Sequence, residues 1–149
     1  MTGHLTAEQE QFLGLRRVAH LATVDATGKP HIVPVCFACV DGAIYTAVDE
    51  KPKRVDAKRD PRALRRVRNI LARPDVCLLV DRYEEDWTKL AWLQVRGVAA
   101  LVTDGAGRRR AIAALRDRYP QYQGMELESA PLIRVTPIQV VTWAGRLSQ

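Results

Sequence analysis

Apolar residues fall along the chain in short blocks separated by clusters of turn-forming residues. Thr6 followed by Gln9 has the form of a capping box and predicts a short helix running to about Arg17. "VAHLATV" (18–24), rich in small and β-branched residues, stops at "DATGKP", which holds Gly28 and Pro30. "HIVPVCFACV" (31–40) and "AIYTAV" (43–48) read as two strands flanking Asp41-Gly42, a strong hairpin signal. "DVCLLVD" (75–81) reads as a buried strand, and "LAWLQVRGVAALVT" (90–103) as a longer one with Gly97 at a bulge or bend. "AGRRRAIAALRDRYP" predicts a helix ended by Pro120, and "PLIRVTP" and "IQVVTW" predict two final strands.

Six or seven strands, mostly joined by tight turns, predict an antiparallel sheet rather than βαβ units. Weak alternation and frequent small residues point to closure into a barrel carrying a few helices. The expected fold is therefore mainly β. No internal repeat or linker interrupts the pattern, so residues 1–149 are expected to form one domain. No apolar run approaches the roughly 18–20 residues of a membrane span, and three cysteines without secretory context read as reduced thiols. A soluble cytoplasmic protein with no membrane partner is expected.

Charge changes the picture more than composition does. The formal net charge is +6, and residues 49–69, "DEKPKRVDAKRDPRALRRVRN", hold nine basic and four acidic side chains, nearly the whole surplus. Asp60-Pro61 suits a helix start and Pro74 bounds its end. Leu64, Val67, Ile70 and Leu71 then form one apolar stripe, with Arg62, Arg65, Arg66 and Asn69 on the opposite side. Such a face is either a solvated helix surface or a grip for phosphate or carboxylate, which arginine holds in a bidentate way. Lys51 and Lys53, at the end of a strand, belong to the same field. Nucleic acid is disfavoured: the stretch has no aromatic for base stacking and matches no helix-turn-helix or zinc-finger spacing.

Other chemistry is sparse. Cys36-x-x-Cys39 has the spacing of a redox or metal pair, but inside one strand the two thiols would face opposite sides, so neither disulfide nor metal is expected. His4, His20 and His31 form no metal spacing, and no nucleophile elbow, P-loop or dinucleotide fingerprint is present. With no catalytic side chain in view, redox chemistry would belong to a bound cofactor.

The stretch "HLATVDATGKPHIVPVCFACVDGAIYTAVDEKPKR" resembles the opening of the split β-barrels related to pyridoxamine-phosphate oxidase and flavin reductases. The run "AVDEKPKR…LRRVRNILARPDVCLLVDRYEEDW…VRGVAALV" is similar to the actinobacterial subgroup that uses the deazaflavin coenzyme F-420. That resemblance implies a homodimer with a cofactor groove between subunits, moving a hydride between the deazaflavin and a small organic acceptor. It implies that Lys51, Lys53, Arg65, Arg66 and Asn69 hold the phosphate and glutamate tail. Pro34, Val35 and Cys36, with Thr46, Ala47 and Val48, would line the ring. Trp87 and Trp92 would shape the pocket, either within one chain or from its partner. The alternatives are a flavin mononucleotide oxidase or reductase on the same barrel, and a non-catalytic protein that binds deazaflavin, flavin or haem. This chain departs from many relatives in the longer stretch between Lys53 and Arg65, and in carrying Ala91-Trp92 where two tryptophans are common.

Overall fold

The computed structural model describes residues 3–49, 60 and 64–144. Seven strands make one antiparallel sheet: β1 (Ala19–Val24), β2 (Pro30–Val35), β3 (Ala38–Val40), β4 (Ala43–Ala47), β5 (Asp75–Arg82), β6 (Ala91–Val102) and β7 (Leu132–Ala144). Their spatial order is β2-β1-β5-β6-β7-β4-β3. The two edge strands are thus β2 and β3, yet only Cys36 and Phe37 separate them in sequence. Three peptide steps reach about 10 Å at most, so the sheet must curl until its edges meet at that corner. The result is a half-barrel with three helices: α1 (Ala7–Gly14), α2 (Arg65–Ala72) and α3 (Ala106–Arg118).

Local chemistry explains the elements. Thr6 and Gln9 form the expected capping box at the start of α1. Asp41 and Gly42 take φ of 50° and 78°, the paired left-handed turn that joins β3 to β4. At Gly97 the β6–β7 register shifts, as a bulge requires, and a Cβ there would meet the Thr136 carbonyl oxygen at 2.5 Å. The extra residue is Ile138 of β7, next to Pro137, and β4 pairs with β7 only as far as Val135, so the missing N–H lies where β7 has a single neighbouring strand.

Two strand boundaries differ from expectation. Residues 31–40 are two strands, not one, broken at Cys36-Phe37. Phe37 is fully buried, and its N–H donates to the Tyr119 hydroxyl at 3.0 Å, a side chain 82 positions away that local pattern cannot supply. Conversely, "PLIRVTP" and "IQVVTW" belong to the single strand β7. The Pro137 that suggested a break is absorbed by the bulge at Ile138 beside it.

One core fills the half-barrel, with Phe12, Leu21, Phe37, Leu78, Leu93 and Ile133 fully buried and Val67 of α2 closing one end. A second lies under α3, where Tyr45, Ala47, Leu115, Tyr119 and Tyr122 pack together. Strand β4 lies between the two cores, which is why all five of its residues are buried. The opposite face of β2, β1, β5 and β6 carries apolar side chains with little to cover them. Ile32 is 61% exposed, Val98 39% and Trp143 51%, and a shallow groove of about 430 Å³ runs past Ala22, Val24, Pro30, Cys77 and Ile138.

Candidate functional site

Helix α2 presents a face that matches only in part the one its apolar spacing suggested. Val67, Asn69 and Ile70 are buried and Arg66 is half-buried, while Arg65, Arg68 and Leu71 are exposed. At 100° per residue the inward arc therefore runs Asn69, Arg66, Ile70, Val67. Arg66 and Asn69, expected opposite the apolar stripe, lie on the packed side, and Leu71 does not. Leu64, the N-cap, is buried in the core with Val67 and Ile70 as the spacing predicts; Leu71, 50% exposed, is the stripe residue that departs. Lys51, Lys53 and Arg62, with the expected Pro61 start, fall outside the described residues.

Each inward polar group has a reason to be there. Asn69 is 3% exposed and its Nδ2 donates to Thr23 Oγ1 at 2.9 Å, fixing α2 against β1. Arg66 lies beside Asp49 and Tyr122. Burial pushes its pKa down, opposed first by the Asp49 carboxylate, and its Nε is buried with no hydrogen-bond partner. Asp49, just past β4, is 6% exposed and accepts a hydrogen bond from the Tyr122 hydroxyl at 2.5 Å. Burial, then the Asp49 carboxylate, drives the Tyr122 pKa upward, so the phenol keeps its proton and donates. Cys36, at the corner, lies against Tyr122. The first turn of α2 bears two arginines and no acidic residue, and its N-cap, Leu64, has no polar side chain with which to cap it. Cations at a helix N-terminus oppose the macrodipole, an arrangement that an anion there would relieve.

His31, on β2, is the register partner of Thr23. Its pKa is lowered by burial and then by Arg65 and Arg66, and its Nδ1 is buried without a partner. Arg65, Arg66 and Asn69 are thus brought together with four residues that the sequence did not single out for this site: Thr23, His31, Asp49 and Tyr122. The sequence offered His31 only as a histidine without metal spacing; its place depends on a cross-strand pairing that no local motif encodes.

The remaining expected residues are dispersed. Pro34 is exposed on β2, Val35 is in the core and Cys36 is half-buried at the corner. Thr46, Ala47 and Val48 are buried, so their side chains serve the two cores. Their backbone is another matter: β3 pairs only with residues 43–45, so among the described residues that edge of β4 has no partner strand from Thr46 onward. Trp87 is 70% exposed in a short 3-10 turn after β5, and Trp92 faces Trp143 across the β6–β7 ladder. The β5–β6 connection lies seven residues along β5 from Asp75, about 20 Å at roughly 3.3 Å per residue, so a single chain separates the tryptophans from the end of β5 that α2 leads into. The three cysteines are free thiols, and burial pushes Cys39 up to about 12. Cys36 and Cys39 straddle the corner rather than sharing a strand, which removes the geometric argument from alternating faces. Among the described residues no helix is long and apolar enough to cross a membrane.

Comparison with known proteins bears on this site. The family model described as pyridoxamine 5'-phosphate oxidase matches residues 5–144. A search of curated proteins finds no match. Among solved structures, the conserved hypothetical protein Rv2991 from Mycobacterium tuberculosis is similar with a TM-score of 0.73 at 20% identity, covering 99% of this chain and 90% of that one. The heme storage protein HutZ from Vibrio cholerae gives 0.70 at 22% identity, with 95% and 94% covered. A FAD-binding protein from Mesorhizobium loti gives 0.65 at 22%, with 93% and 94% covered. These similarities concern the fold.

Proposed function

The chain belongs to the pyridoxamine 5'-phosphate oxidase family, and we propose that within it the protein is an oxidoreductase that binds the deazaflavin coenzyme F-420. The observation that carries the reading is Arg66: a half-buried guanidinium with an orphaned Nε, beside the exposed Arg65 at a helix start whose N-cap is the apolar Leu64. A buried polar atom without a partner marks a place for one. An anionic cofactor arm answers the orphaned nitrogen, the apolar N-cap and the local charge surplus together, so the residues fit such a group.

Arg65 and Arg66 would hold the phosphate or tail carboxylates, joined by Lys51 and Lys53, while Asn69 holds the helix against Thr23. Several negative charges on one flexible tail match so large a local field better than the single phosphate of flavin mononucleotide. Pro34, Val35, Cys36 and the backbone edge of Thr46, Ala47 and Val48 would border the ring. The deazaflavin supplies the hydride; this chain supplies orientation, electrostatics and exclusion of water. We assign no side chain to proton transfer.

The apolar outer face favours a second copy of this chain as its cover. Pairing through that face would make a homodimer and bring Trp87 and Trp92 of one copy toward the arginines of the other.

Equilibrium titration of the cofactor-free protein with deazaflavin and with flavin mononucleotide tests the reading. The deazaflavin is expected to bind more tightly, a longer glutamate tail at least as well as a short one, and both less well in added salt, which screens over about 10 Å at 0.1 M. Tighter binding of flavin mononucleotide overturns the deazaflavin assignment. Similar folds are found in a heme storage protein and a FAD-binding protein, so a haem spectrum in the protein as purified would favour the binding-protein alternative.

A further inference from the structure

Two buried nitrogens without hydrogen-bond partners lie on neighbouring elements: Nδ1 of His31 on β2 and Nε of Arg66 on α2. The path between them is short. His31 is opposite Thr23 in the β1–β2 ladder, which sets their Cβ atoms about 5 Å apart. Thr23 Oγ1 accepts from Asn69 Nδ2, and Arg65 and Arg66 lie one turn earlier on the same helix, at i−4 and i−3. The charges around the imidazole can be named. From α2 they are Arg65 and Arg66, with Asp49 and Tyr122 beyond Arg66. From the β1–β2 turn it is Asp25, held at about 2 by its bonds to Thr27 and Lys29.

We propose that His31 is a third partner of the anion held by Arg65 and Arg66, and that its imidazole takes a proton from solvent when that anion binds. The inference rests on the anion site argued above. Without the anion, burial and two guanidinium groups disfavour the imidazolium, and the ring is neutral near pH 7. A negative group seated among them reverses the local field. The protonated ring donates from both nitrogens, so Nδ1 also gains a use. The site then favours ligands with a dianionic group over singly charged ones, because only a strong negative field repays protonation against two arginines.

Sulfate is the probe, since its charge is constant over the working range and any pH dependence then belongs to the protein. The His31 ring signal, assigned by its loss in His31→Asn, is followed by NMR from about pH 5 to about pH 8.5 at constant ionic strength. With saturating sulfate its midpoint is expected to rise by about one unit or more, which corresponds to sulfate affinity falling about tenfold from the acid to the alkaline limit. His31→Asn and His31→Gln, checked for unchanged melting, should bind sulfate with a flat pH profile. An unmoved midpoint, while Arg66→Ala still abolishes sulfate binding, overturns this inference and leaves the anion site standing. The parental pH profile persisting in both His31 variants overturns it equally. Sulfate that fails to bind at any pH also overturns it; the cofactor reading falls too only if the deazaflavin fails to bind.

Discussion

Replacing Arg66 with Met keeps most of the hydrocarbon stem and removes the guanidinium, so it separates charge from packing. If Arg66 grips a phosphate or carboxylate, the change removes a charge-assisted hydrogen bond of about 1.5–3 kcal/mol. That is about ten- to a hundredfold in deazaflavin affinity. The effect on stability is the opposition of two terms. The variant no longer buries a cation whose Nε lacks a partner, but Asp49 loses a favourable neighbour while keeping the Tyr122 hydroxyl. We expect these to cancel within about 1 kcal/mol, or roughly 3 °C in melting temperature for a domain of this size. Arg65→Ala, at an exposed position, should lose comparable affinity with unchanged melting. Fluorescence titration with deazaflavin and thermal melting of the ligand-free variants give both quantities. A large fall in melting temperature with unchanged affinity in Arg66→Met would refute the reasoning and make Arg66 a structural counter-ion for Asp49.

Gly97→Ala drives a Cβ to 2.5 Å from the Thr136 carbonyl oxygen and 2.9 Å from Val135 Cγ1, and should cost about 1–3 kcal/mol in chemical unfolding. Arg108 is 7% exposed and forks to the carbonyls of Val102, Leu127, Glu128 and Ala130, so Arg108→Lys, a charge without the fork, should destabilise by about 2 kcal/mol or more; unchanged melting would show that lysine suffices. Ile32→Asp places a charge on the bare outer face; sedimentation should find a dimer for the parent and a monomer for the variant, and a monomeric parent would remove the subunit-interface site. Because folding lowers the His31 pKa from 6.5, the unfolded chain takes the proton first. Stability should therefore hold above about pH 6.5 and decline below it, and His31→Asn should flatten that decline in denaturant titrations at stepped pH.

What the sequence disclosed follows the range of the interactions involved. The capping box at Thr6 and the Asp41-Gly42 turn are fixed by residues close in the chain and stand where the pattern put them, while Gly97 marks a bulge whose extra residue lies across the ladder on β7. The corner at Cys36-Phe37 is held by the Tyr119 hydroxyl, and a continuous apolar run hid it. Pro137 misled for the complementary reason: proline breaks a ladder only where its N–H is needed, and here one flank has no neighbouring strand and the other borders the bulge at Ile138.

The site shows the same division more sharply. Charge counting located the basic cluster, because an excess of cations over 21 positions survives any arrangement of the helix. Orientation survived only in part: Leu64, Val67 and Ile70 are buried as expected, but an eight-residue helix has room for two overlapping arcs, and burial turns Arg66 and Asn69 inward and Leu71 out. The choice made here is a costly one on apolar grounds: it leaves Leu71 half exposed and turns an arginine inward. Local rules broken without an evident compensating contact mark places where function has set the sequence. On the function proposed above Arg66 is such a place, although Asp49 lies beside it, and so is His31, whose buried Nδ1 an apolar residue would have spared. Two breaches on adjoining elements, both ending in a nitrogen with no partner, are hard to attribute to packing alone. A shared anionic ligand explains both at once, which is why the affinity of Arg66→Met and the titration of His31 bear on the same site.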